Sequence, residues 1–165
     1  MKNTLILTFI SITTTFAQVP TVRNLDILIG TWEVEEIHST SGWSEKATRT
    51  CYYIMDSTYI ECESKAVSND KHRTYRFLIN YNTVDKQYEM VGIYSNWPLK
   101  QLDVLIPDDT GMKFRLSNSK ALASDSQREG LIEFSSRDEY VWSGKNTNPK
   151  RGTSTVYTEK GRRKN

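Results

Sequence analysis

The stretch "LIGTWEVEEIH", Leu28 to His38, is where the fold is read. Upstream of it, Val22, Leu25, Leu28 and Ile29 recur at helical spacing for about two turns. From Thr31 the period changes to two: Trp32 and Val34 fall on one face, Glu33 and Glu35 on the other. Gly30 stands at the change, where a glycine ends a helix at its C′ position. The expectation is a short helix stopped by Gly30, feeding a strand whose first inward side chain is Trp32.

Working outward, the same alternation returns in "KATRTCYYIM", "TYIECESK", "RTYRFLINYN", "QYEMVGIYS", "KQLDVLI", "MKFRLSN", "GLIEFSS", "EYVWSG" and "STVYTE". Valine, isoleucine, threonine, tyrosine and phenylalanine dominate these runs, as suits a pleated surface. "SND", "NTVDK", "PDDTG", "SSRDE" and "NTNPKRG" supply turn chemistry between them. About ten closely spaced strands with short connections describe an all-β, antiparallel up-and-down meander. Closure into a barrel is favoured over a sandwich because it removes exposed edges. "SKALASDSQRE" reads as a loop or a single helical turn.

Residues 1–17 read as a signal peptide: Lys2, the apolar "LILTFISI", and a small-x-small site ending at Ala17. No cysteine follows the cleavage site, as a lipoprotein anchor would need, and no later run approaches the ~20 apolar residues of a membrane span. Residues 18–158 then form one barrel domain, secreted or periplasmic, and residues 159–165 a basic C-terminal tail. Removing Lys2 leaves 21 basic and 20 acidic residues. The terminal "EKGRRKN" holds four of those basic groups and one acid, so the body carries 17 against 19. Basicity confined to a mobile end is not the aromatic-laced basic face of a nucleic-acid binder.

Cys51 and Cys62 flank "YYIMDSTYIE". A turn centred on Asp56-Ser57 places residue 55 opposite 58, and therefore 51 opposite 62. Directly opposed strand positions lie within disulfide range, and export supplies an oxidising compartment. Two buried thiols are the alternative. No histidine or second cysteine pair accompanies them, so no metal site is expected.

"GTW", Gly30 to Trp32, at the start of the first strand after a short helix, resembles the G-x-W signature of lipocalins and the wider calycin superfamily. With the tyrosine-rich hairpin "YRFLINYNTVDKQYEMVGIYSNW", the chain resembles bacterial exported lipocalin-like domains of unknown function. The resemblance implies a lipocalin-like barrel with Trp32 plugging its closed end. It also implies a basic residue of the last strand, Arg162 or Arg163, packed on that tryptophan.

Catalysis would need a base near a nucleophile and an orienting partner, and no such set is visible. Of the two histidines, His38 shares the parity of Trp32, and His72 falls in a polar turn. Glu61 and Glu63 read as a solvated face. Some ten-stranded calycin relatives bind haem through a late histidine, and none follows His72; no cofactor is expected. The inward set by parity is Trp32, Val34 and His38, then Tyr75, Phe77, Ile79 and Tyr81, then Tyr88, Met90 and Tyr94, and finally Trp142. A ten-stranded barrel is wider than side chains readily fill. Trp32, His38, Tyr75, Phe77, Tyr81, Tyr88, Met90, Tyr94 and Trp142 are accordingly the candidate ligand-binding wall, apolar with a few polar groups, for a small apolar or amphipathic molecule. An interaction module docking an envelope protein through loop residues Trp43 and Trp97 is the second reading, and a barrel isomerase or hydrolase the third. N-terminal sequencing of the exported protein should begin at Gln18; a sequence starting at Met1 would refute the signal.

Overall fold

Alternation at period two carries through ten strands, each long enough to show one face to a core and the other to solvent. They are β1 (Gly30–His38), β2 (Ser44–Ile54), β3 (Tyr59–Ser68), β4 (Lys71–Asn82), β5 (Gln87–Tyr94), β6 (Trp97–Pro107), β7 (Lys113–Ser117), β8 (Gln127–Phe134), β9 (Glu139–Asn148) and β10 (Thr153–Arg163). The computed structural model describes residues 20–117 and 126–164, the side chains of residues 97–99 excepted. The expected signal peptide, residues 1–17, lies outside them, as does most of "SKALASDSQRE". Every strand pairs antiparallel with its neighbours in sequence, and β10 returns to β1 to close the barrel. Closure gives each strand a hydrogen-bonded neighbour on both sides. Among the described residues no helix is long and apolar enough to cross a membrane.

Turn chemistry sets the register. Asn69 and Asp70 both adopt positive φ (47° and 63°) between β3 and β4, as a two-residue hairpin turn requires. Met55, Asp56 and Ser57 do the same between β2 and β3. That turn brings Cys51 opposite Cys62, and the two form a disulfide.

The N-terminal helix is a 3-10 helix, Val22–Leu28, with Ile29 as its C-cap, so Gly30 stands at the C′ position and is also the first residue of β1. Its φ of +127° suits glycine, and a Cβ there would collide with the Arg163 guanidinium. Two other expectations are corrected. Residues 159–163 are not a frayed tail but the end of β10; their charges alternate with inward Glu159 and Gly161, which masks the strand pattern. Trp97 is not in a loop: it opens β6, paired with Tyr94 across a tight turn.

The closed end is built on Trp32, 1% exposed. Its indole donates to the Leu28 carbonyl at 2.9 Å, and Phe134 and Tyr140 meet it edge-on. Val22 and Leu25 of the 3-10 helix are buried in the same core. Arg163 lies opposite Trp32 in the β1–β10 register, with its guanidinium carbon 4.2 Å from the ring centre. It donates to the carbonyls of Ile27, Ile29 and Arg137. Of the two arginines implied by the resemblance, Arg163 is the one on Trp32. Arg162 points outward to Glu139.

Arg163→Ala removes a cation–π contact and charged donors to two part-buried carbonyls and an exposed one, and should cost about 2–3 kcal/mol in urea unfolding. Arg162, whose side chain is 76% exposed, should cost under about 0.5 kcal/mol when replaced by alanine. Equal losses would refute the clamp.

Candidate functional site

Above the Trp32 plug, the barrel interior changes character. On β2 the inward positions are Glu45, Ala47, Arg49 and Cys51, so the alternation that buries Cys51 also buries an arginine. Arg49 reaches Glu159 of β10, with Nη1 and Nη2 on the two carboxylate oxygens at 2.7 and 2.8 Å. Its Nε donates to Ser64 Oγ, and its remaining N–H groups to the hydroxyls of Tyr140 and Tyr75. All five guanidinium donors are thereby used. Burial works against the Arg49 charge, yet Glu159 and the two tyrosines more than offset it, so its pKa rises well above the ordinary value. Burial likewise pushes the Tyr75 hydroxyl up to about 12.

This layer divides the lumen. Below it, a void of about 40 Å³ remains among Trp32, Ile79, Met90, Phe114 and neighbouring apolar side chains. Above it, a chamber of about 510 Å³ opens toward the far end of the barrel. Tyr75, Phe77, Tyr94, Trp142 and Tyr157 supply its aromatic wall, and Glu36, Arg73, Gln101, Arg128 and Glu159 its polar groups. At the mouth, His38 is 2.5 Å from Glu36 and packs edge-on against Trp43. Burial tends to raise the Glu36 carboxyl, but His38 and then Arg73 and Arg49 hold it below the usual range. Arg73 pairs through both arms with Glu45 and lies 5.1 Å from the Trp43 ring.

On the other wall, Arg128 is spread over four acceptors: Gln101 at 2.7 Å, Asp103 and Tyr94 at 3.2 Å, and Asn146 at 3.3 Å. Asp103 is 1% exposed. Its burial raises the carboxyl pKa despite the arginine beside it.

Of the wall read from the sequence, His38, Tyr75, Phe77, Tyr94 and Trp142 line this chamber. Trp32 and Met90 lie below the arginine layer. Tyr88 and Tyr81 pack edge-on on each other near the closed end, and Tyr88 donates to the Thr21 carbonyl. The expected apolar wall is more polar than parity of hydrophobic residues alone suggests, because Arg49, Asp103, Arg128 and Glu159 occupy inward positions. Their signal was present: each shares the parity of a buried apolar neighbour, as Arg128 does with Ile132 and Phe134. Trp43 does not stand free as a docking loop but is half-buried over Arg73.

No protein-family model matches the chain, and no curated protein matches it in sequence. In three dimensions it is similar to the S-type phycobiliprotein lyase CPES from Guillardia theta, with a TM-score of 0.60 and 10% identity over 88% of this chain and 94% of that one. It is also similar to a de novo designed fluorescence-activating β-barrel, with a TM-score of 0.50 and 18% identity over 85% and 96%. A redesigned β-barrel matches with a TM-score of 0.50 and 13% identity over 87% and 96%. At such identities the likeness establishes the closed-barrel fold and nothing finer.

Glu159→Gln leaves Arg49 charged and short of its counter-ion in a buried layer, and should cost about 3–5 kcal/mol by chemical denaturation. The double replacement Arg49→Met with Glu159→Leu should recover most of that loss. A double variant as unstable as the single one would show that the layer is held for stability alone.

Proposed function

We propose that the protein is an exported carrier or receptor barrel that takes one small amphipathic molecule into the open-end chamber. The carrying observation is the chamber itself: about 510 Å³, with aromatic faces on one part of its wall and oriented donors on another. That volume and mixture are usual for a small-molecule site. The Cys51–Cys62 bridge supports export, since disulfides persist in oxidising compartments. That a fluorescence-activating design and a phycobiliprotein lyase share the fold supports treating the interior as the working surface.

Electrostatics favour binding over acid–base chemistry. Burial moves the Tyr75 and Tyr157 hydroxyls up, and the wall charges hold Glu36 down, so these lining groups move away from neutrality; the Asp103 carboxyl, which burial raises, is paired with Arg128 behind the chamber lining. A catalytic acid or base is tuned the other way, toward the working pH. A wall whose charges are locked in place suits recognition.

Naphthalene-sized planar probes carrying one polar group should bind with one-to-one stoichiometry in calorimetry. Phe77→Trp intrudes on the chamber and should weaken binding about tenfold or more, since overlap with a ligand is costly. Met90→Trp overfills the closed end and should destabilise by about 1–3 kcal/mol while sparing affinity. Equal loss of binding in both variants would place the ligand elsewhere.

A further inference from the structure

Arg49 in the dividing layer and Arg73 and Arg128 on the chamber wall are not alike. Arg49 and Arg73 each grip a carboxylate through both arms, at Glu159 and Glu45. Arg128 meets a single carboxylate oxygen, Asp103 Oδ2, at 3.2 Å, and otherwise neutral acceptors. A buried guanidinium is best matched by a carboxylate that takes two parallel N–H bonds. Arg128 lines the chamber without such a match.

A second observation falls on the same spot. Three buried side-chain polar atoms lack a hydrogen-bond partner among the described residues: Asp103 Oδ1, Trp142 Nε1 and the Tyr157 hydroxyl. All three belong to residues around Arg128, whose guanidinium carbon is 5.6 Å from the Trp142 ring and 5.9 Å from that of Tyr157. Trp142 Nε1 leans over Gly130, the next inward position after Arg128, and the Tyr157 hydroxyl lies on Gly144, paired with Gly130. An indole N–H only donates, and a phenol donates as readily as it accepts. Such groups are costly to leave unmatched. Two of the three are donors covered by the barrel wall, and the third, Asp103 Oδ1, is an acceptor; the group on this wall that calls for a negatively charged partner is Arg128, which holds a single carboxylate oxygen.

We infer that the ligand is a planar aromatic acid with one negative charge, its carboxylate on Arg128 and its ring among Phe77, Tyr94 and Trp142. This rests on the binding reading above. Phe77 meets Tyr94 edge-on at 6.3 Å and Trp142 at a 60° tilt at 5.9 Å, and a chamber wall so rich in rings favours a flat ring over a branched chain. A single charge is favoured over two because Glu36 and Glu159 face the same chamber. Burial already raises the Asp103 carboxyl, so an incoming carboxylate competes with a weakened partner.

The test compares 2-naphthoate with 2-naphthamide, which share shape and differ in charge, by calorimetry on the wild-type protein. The acid should bind at least about tenfold tighter, the scale of a charge-assisted pair. Arg128→Gln should abolish the preference, bringing the acid's affinity to that of the amide on the same variant. Should that variant fail to fold, Asp103→Asn gives the opposite sign: removing the competing carboxylate should strengthen naphthoate binding and leave naphthamide unchanged. Equal binding of acid and amide, a preference surviving Arg128→Gln, or weaker naphthoate binding in Asp103→Asn would overturn the inference. If the amide binds as well as the acid, the binding reading stands and the acid fails; if neither binds, both fail.

Discussion

The ion pair between Arg49 and Glu159 governs how this barrel is used. A charge so placed is tolerable only when every donor and acceptor around it is matched. Ser64, Tyr75 and Tyr140 complete that matching. The network joins β2 to β10, the strands that flank β1, and reaches Ser64 on β3, Tyr75 on β4 and Tyr140 on β9. It lies between an apolar closed end and a polar chamber, and the two halves follow different rules of packing.

The closed end behaves as an ordinary core. Trp32, Phe134, Tyr140, Phe114 and Leu116 fill it, and Arg163 seals it from outside by stacking on the indole while satisfying carbonyls at the end of the 3-10 helix. Gly30 is explained by its φ of +127° and by the same guanidinium, which a side chain there would push aside. The open end is the reverse. Its wall carries arginines and carboxylates whose pKa displacements arise from burial and from one another, and apolar packing there is confined to aromatic faces. A molecule entering it would exchange water for a preset pattern of rings and donors, which is how a small site gains selectivity at modest size.

Neither face of the molecule needs a tryptophan loop to explain it. Trp43 is committed to His38 and Arg73 at the mouth, where it narrows the opening. Glu61 and Glu63 sit on the outer surface with Arg76, as a solvated strand face does.

The sequence by itself determined the class of fold, its number of strands, the Cys51–Cys62 register and the plugging role of Trp32. Those depend on periodicity and turn residues, which are local and survive without knowledge of neighbours. It also held the parity of Arg49, Asp103, Arg128 and Glu159, but charged residues at apolar parity read as exposed until a partner is known. Their partners are remote: Arg49 and Glu159 are 110 positions apart, Arg128 and Asp103 25. Only the closed barrel brings them together, and only it shows that Tyr81, Tyr88 and Met90 lie at the closed end while Tyr75, Phe77, Tyr94 and Trp142 face the chamber. Height along a barrel axis depends on the stagger between all the strands, whereas inward or outward depends on one strand alone. That is why the lining was legible as a set of residues and the division into core and chamber was not.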